Sequence, residues 1–150
     1  MRTVLIAASV LMLAGCSLQL GSAPNQPTGI TTRTYDAFYP QPNVQVALLN
    51  APPGMTEAQA GPFVAERMKG PTTYGITFTP PGKEAYGDQV ATWNFTPADN
   101  GVRVEVVLTE RGRRMVTAAG TAVSAEPVAI TEAIRVLTQQ LYAQIVQVRF

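Results

Sequence analysis

Val102-Arg103-Val104-Glu105-Val106-Val107-Leu108-Thr109 sets Val102, Val104, Val106 and Leu108 against Arg103 and Glu105 in strict alternation. A period of two over this length specifies a half-buried strand. Both of its ends carry turn chemistry. Asp99-Asn100-Gly101 precedes it, and Arg111-Gly112-Arg113 follows it. Residues that tolerate positive φ at such positions close tight hairpins. The strand is therefore expected to pair antiparallel with Met115 to Val123 after it. Before it, Gln89 to Phe95 presents Val90, Thr92 and Asn94 opposite Ala91, Trp93 and Phe95, a further strand.

Working towards the amino end, Pro80-Pro81-Gly82-Lys83 predicts a turn, and Thr72 to Thr79 predicts a strand with Tyr74, Ile76 and Phe78 on one face. Thr56, with Gln59 three residues on, forms a capping-box pattern for a helix carrying Phe63, Val64 and Met68, which Gly70-Pro71 stops. Pro62 conflicts with an unbroken helix. It implies a kink, or a second start with Gly61 as cap and Pro62 in the first turn. Val44 to Leu49 reads as a strand ended by Asn50, Ala51 and Pro52-Pro53-Gly54.

Towards the carboxyl end, Ile130, Ala133, Ile134, Leu137, Leu141 and Ile145 fall at helical spacing, with Pro127 suited to the first turn. Gln139, Gln140 and Gln144 lie on the other side. Val146 to Phe150 reads as a frayed helix end or a short strand. Two amphipathic helices and a mostly antiparallel sheet imply an α+β fold, a two-layer sandwich, in one domain over residues 43–150.

The amino-terminal residues belong to a different kind of chemistry. Met1 and Arg2 give a short positive start, Val4 to Leu13 is apolar apart from Ser9, and Leu13-Ala14-Gly15-Cys16 closes the run with the single cysteine of the chain. The apolar stretch is about ten residues, whereas spanning a hydrocarbon core takes roughly 20. Leu13, Ala14, Gly15 and Cys16 resemble the lipobox of a bacterial lipoprotein signal peptide. The resemblance implies cleavage after residue 15, with diacylglyceryl and N-acyl lipid on Cys16 and no other cofactor. It also implies a membrane-anchored location, and Ser17 in place of aspartate implies sorting to the outer membrane, facing the periplasm. Residues 16–42, rich in Gly, Ser, Pro, Asn, Gln and Thr, read as a flexible tether; about 26 such residues reach roughly 28 Å. Within it Tyr35, Phe38 and Tyr39 crowd before Pro40 and Pro42, an arm for the domain itself or for a partner.

Composition narrows the chemistry. The chain has no histidine, which removes Ser-His-Asp and Cys-His catalysis and the commonest metal ligand. A lipidated Cys16 leaves no thiolate for zinc, iron–sulfur or nucleophilic work. Loss of Arg2 with the signal segment takes the eleven basic residues to ten, matching the ten acidic ones. A neutral domain has no electrostatic drive towards nucleic acid. Charged residues make up 14% of the chain, against roughly 25% in average domains, which suits a face covered by a partner.

Few side chains remain as site candidates. Arg111, Arg113 and Arg114 cluster at a hairpin tip, where guanidinium forks suit phosphate or carboxylate. Glu84, Asp88 and Asp99 supply carboxylates for a glycosidase-like pair. A Ser/Lys dyad would have to draw on Lys69, Lys83, Ser17, Ser22 and Ser124, and Gly82-Lys83 lacks the flanking residues of a P-loop. The expectation is a non-catalytic, lipid-anchored accessory or assembly subunit that binds another envelope protein. A small-ligand or lipid-binding module is the alternative, and a carboxylate-based hydrolase is a third.

Overall fold

A computed structural model describes residues 18–20, 41–84 and 87–146. Leu13 to Cys16, the aromatic group Tyr35, Phe38 and Tyr39, and residues 147–150 lie outside the described residues.

The alternating stretch forms β5 (Gly101–Glu110), the middle of an antiparallel meander with β4 (Gln89–Ala98) and β6 (Arg113–Ala122). Each hairpin closes through two residues, with Ala98 opposite Gly101 and Glu110 opposite Arg113. In the second turn Arg111 (φ 49°) and Gly112 (φ 76°) both take positive φ, the twist that matches paired strands. Val102, Val104, Val106 and Leu108 are buried, while Arg103 is exposed.

Three more strands extend the sheet. β2 (Asn43–Asn50) lies parallel beside β4, β3 (Thr77–Thr79) lies parallel beside β2, and β1 (Leu18–Leu20) pairs antiparallel with β6. The order is β1-β6-β5-β4-β2-β3. The long hairpin pairings are antiparallel, so the sheet is mostly antiparallel as expected. The parallel insertion of β2 between β3 and β4 is not visible in any local pattern.

Both helices cover one face of this sheet, giving the two-layer α+β sandwich. α1 (Glu57–Arg67) starts at the expected capping box: the Thr56 hydroxyl accepts from the Gln59 amide at 3.3 Å, and the Thr56 amide donates to Gln59 Oε1 at 3.1 Å. Thr56→Ala is expected to cost about 1 kcal/mol of stability, measurable as a lower urea midpoint with an unchanged slope. The helix runs through Pro62 without a second start. Ala58 and Pro62 are both exposed, so water can reach the Ala58 carbonyl that loses its amide partner. Gly61 is buried where the helix meets the Pro80–Pro81 turn; a Cβ there would lie 2.7 Å from Pro81 Cδ.

α2 (Pro127–Val146) buries Ile130, Ala133, Ile134, Leu137, Leu141 and Ile145 against the sheet. At about 1.5–3 kcal/mol for each large aliphatic side chain removed from water, this stripe rather than intrinsic propensity fixes the helix. A bulge in β6 adds to the same core. Leu108 pairs with Val116 and Thr109 with Arg114, so Met115 is the extra residue, and consecutive Met115 and Val116 are both buried.

One predicted strand is mostly absent. Over Thr72 to Thr79, only Thr77–Thr79 pairs with the sheet, and Tyr74 is 94% exposed rather than aligned with Ile76 and Phe78. The cause is local hydrogen bonding. Pro71–Thr73 forms a 3₁₀ turn in which Thr73 Oγ1 donates to the Met68 carbonyl at 2.8 Å and accepts from the Gly70 amide at 2.9 Å. The Ile76 amide then donates to the Thr73 carbonyl, across Gly75 at φ 81°. These bonds compete successfully with strand formation.

Candidate functional site

The sheet has two faces of different chemistry. On the helix side β4 places Gln89, Ala91, Trp93 and Phe95, all buried. Its other side carries Val90, Thr92, Asn94 and Thr96, half-buried and covered by no helix among the described residues. The neighbouring strands continue that open face with Gln45 and Ala47 of β2, Val107 and Thr109 of β5, and Thr117, Ala119 and Thr121 of β6. In its middle one charged pair neutralises itself, with Arg103 donating to Glu105 at 2.8 Å, and Arg114 opposite Thr109 adds a cation at the hairpin end. Hydroxyls, two amides and short aliphatic groups on an open sheet face offer hydrogen bonds and apolar contact. They supply no nucleophile–base pair.

The arginine group lies at the opposite end from the Asp99–Asn100 turn. Arg111 donates through Nε to Asp88 Oδ2 at 2.9 Å, and its amide donates to the Asp88 carbonyl at 3.0 Å. These bonds hold its unusual positive φ. The hydrogen bond and charge of Asp88 raise the Arg111 pKa above its ordinary value. Arg113 and Arg114 are exposed and have no ion-pair partner among the described residues. Arg113 sits opposite Glu110 and Arg114 opposite Thr109, so alternation sends them to opposite faces of β6. The three arginines share a hairpin end without converging on one point.

Behind this hairpin lies a polar network that motif reading misses. Buried Gln89 and half-buried Gln41 each donate through Nε2 to Glu110 Oε1 at 3.4 Å, and the Gln41 amide donates to Gln89 Oε1 at 3.3 Å. Gln41 Oε1 also accepts from the Asp88 amide at 2.8 Å. The signal for Gln89 was its parity with Ala91, Trp93 and Phe95. Gln41 offered no comparable signal.

The carboxylates do not gather into a pair. Asp88 is taken by Arg111, and Asp99 lies beyond the far end of β4, about 36 Å away along an extended strand. Glu84 is exposed beside the Pro80–Lys83 turn. Ser124 Oγ accepts from the Glu126 amide at the start of α2, while Lys69 pairs with Glu66 at 2.8 Å in another part of the fold. Among the described residues no three Asp, Glu, Cys or His side chains group as metal ligands, and no helix is long and apolar enough to cross a membrane.

One buried group carries a stability consequence. Tyr142 packs edge-on against Phe78, with ring centres 6.2 Å apart, and its hydroxyl has no hydrogen-bond partner among the described residues. Burial pushes its phenol well above the usual value. Tyr142→Phe is therefore expected to stabilise the fold by about 1 kcal/mol at neutral pH. The sign of the pH effect follows from the raised folded pKa. Stability is whole below the unfolded phenol's pKa, near 10, and is lost as the pH rises above it. The gap between the variant and the parent should widen from about pH 9 to about pH 11 in urea titrations. A constant gap would mean that the phenol is not the titrating group.

No family model matches the chain, and no curated protein matches it. Among solved structures it is similar to a dodecamer of a PelC variant from Paraburkholderia phytofirmans, at 14% sequence identity and a TM-score of 0.45, covering 67% of this chain and 85% of that one.

Proposed function

We infer that the protein is a non-catalytic, lipid-anchored envelope protein whose domain docks another envelope protein on the open face of its sheet. The observation that carries the docking reading is the helix-free face around Thr92, Val107 and Thr117, whose middle holds no unpaired charge. A sheet face left to water normally alternates towards charged residues. Here the Arg103–Glu105 pair and Arg114 at the hairpin end are the charge, and the rest is threonine, asparagine, glutamine, alanine and valine. Such a surface loses little on desolvation and can donate hydrogen bonds to a partner. The resemblance of Leu13 to Cys16 to a lipobox supports the anchor, and Ser17 supports outer-membrane sorting with the domain facing the periplasm.

The test is photo-crosslinking in the native envelope. A photoreactive residue at Thr92 or Thr117 should give a discrete adduct with one envelope protein, and the same probe at Gln139 on α2 should not. Equal labelling from both sides, or none from the sheet, would remove the docking surface from the proposal.

A further inference from the structure

On the helix side, at the end of α1, lies a cleft that the docking reading does not use. The carboxyl end of α1, the 3₁₀ turn Pro71–Thr73 and the middle of α2 enclose about 200 Å³, with Arg67, Lys69, Arg135 and Thr138 in the lining. Three of the ten basic residues that follow the signal segment border this one space. The neighbouring carboxylate, Glu66, is bound to Lys69 at 2.8 Å and does not line the cleft. The carboxyl end of a helix adds about half a negative unit. Glu66 and that dipole together do not cancel three full cations, so the cleft keeps a positive surplus.

Two features go beyond a charged surface. Arg67 is held in one geometry: Nε donates to Thr131 Oγ1 at 2.6 Å, a terminal nitrogen donates to the Phe63 carbonyl at 3.1 Å, and the guanidinium carbon sits 3.4 Å from the Phe63 ring centre. A guanidinium fixed in this way loses little freedom when its remaining N–H groups meet a ligand. Thr138 is 2% exposed, and its hydroxyl has no hydrogen-bond partner among the described residues. Helical threonines commonly bond back to the carbonyl one turn before, yet this hydroxyl is left over beside the cleft. A buried polar atom without a partner is rare enough to call for a cause.

We propose that the cleft binds a phosphate group. Arg135 supplies a cation with no ion-pair partner among the described residues, Lys69 one shared with Glu66, Arg67 a preset one, and the Thr138 hydroxyl a neutral donor. These donors come from two helices and the residue that follows one of them, and a tetrahedral group with several acceptor oxygens can meet them in different directions where a planar carboxylate has only two oxygens. The volume admits a single phosphate group. The same chemistry could come from a soluble phosphate or from a phospholipid headgroup. The proposal stands independently of the docking face and of the anchor.

The test uses the full chain purified in detergent and, for the vesicle arm, its soluble Cys16→Ser form, which has no acyl chain to bind every vesicle alike. Thermal unfolding is followed against inorganic phosphate, with chloride at matched ionic strength as control, and co-sedimentation is measured with phosphatidylglycerol vesicles against phosphatidylcholine vesicles. A phosphate-specific rise in melting temperature identifies a soluble ligand. Vesicle binding that Arg135→Gln abolishes, without a free-phosphate effect, identifies a headgroup. Either supports the site. Arg135→Gln should weaken phosphate affinity about tenfold through loss of one charge-assisted bond. Thr138→Val gives the separating signature: it should raise the melting temperature without phosphate, because the orphan hydroxyl is gone, and still weaken phosphate binding severalfold. A phosphate effect no larger than that of chloride, together with vesicle binding unchanged by Arg135→Gln, overturns the proposal. So does a Thr138→Val variant that gains stability and keeps full affinity.

Discussion

Trp93→Ala is expected to cost about 3–5 kcal/mol of folding free energy, the largest loss available from one side chain in this domain. Trp93 is fully buried on β4, opposite Val106 of β5 and Leu48 of β2. Its ring stacks on Phe95 at 6.0 Å and 12°, and Nε1 donates to Met68 Sδ at 3.3 Å. Truncation removes the stack, leaves the Met68 sulfur facing a void, and opens a cavity where β2, β4, β5 and α1 meet. Small domains have about 5–15 kcal/mol in total, so the variant should be largely unfolded at modest urea. Far-ultraviolet circular dichroism against urea measures it, because the substitution removes the single tryptophan. Trp93→Phe should keep most of the stability. An alanine variant with an unchanged midpoint would mean that this side chain is not where the core is packed.

Cys16→Ser is expected to abolish acylation completely, leaving a soluble form or an uncleaved precursor held only by its apolar Val4 to Leu13 segment. The hydroxyl cannot take the place of the thiol in the proposed thioether. Each buried methylene contributes about 0.8 kcal/mol, so two acyl chains make an anchor that no surface contact of this domain replaces. The urea midpoint of the domain should not change, because Cys16 is the only cysteine and forms no intramolecular disulfide. Fractionation and intact-mass measurement of the mature amino terminus provide the readout. A parent protein with a free thiol, or a serine variant whose intact mass still includes the lipid, would count against the anchor.

The meander was legible because its two signals agree. Val102 to Leu108 alternates without a break, and both flanking turns carry residues suited to tight hairpins. The second helix was equally clear, since the six apolar positions at helical spacing, Ile130 to Ile145, are all buried. The capping box told where α1 begins, but Pro62 obscured how far it continues, because exposure of a lost carbonyl is a tertiary property. Tyr74 misled by spacing alone: Thr73 had stronger local bonds to make than a strand could offer.

The sites were less legible than the fold. Alternation says which residues of β4 share a face, but not that both helices would choose the same one and leave Thr92 and Asn94 uncovered. Arg67 and Arg135 stand 68 residues apart, each at an ordinary helical position, and only the packing of α1 beside α2 brings them to one cleft. The hairpin arginines gave the opposite lesson. Adjacent in sequence, they are separated by the pleat and by the salt bridge to Asp88.

The parallel docking of β2 on β4 also sets an order of assembly. Within the meander the hairpin partners are neighbours, Ala98 with Gly101 and Glu110 with Arg113, whereas Val44 must wait for Gln89, 45 residues later. Closing the longer loop costs more entropy before any contact repays it, so the three-stranded meander is the natural early nucleus and β2 a late arrival. A chain that emerges amino end first therefore exposes Asn43-Val44-Gln45-Val46-Ala47-Leu48-Leu49-Asn50 with no strand to pair against. During that interval this β-rich segment is the part of the protein most open to wrong pairing with another chain, and the part that a holding chaperone would have most reason to cover.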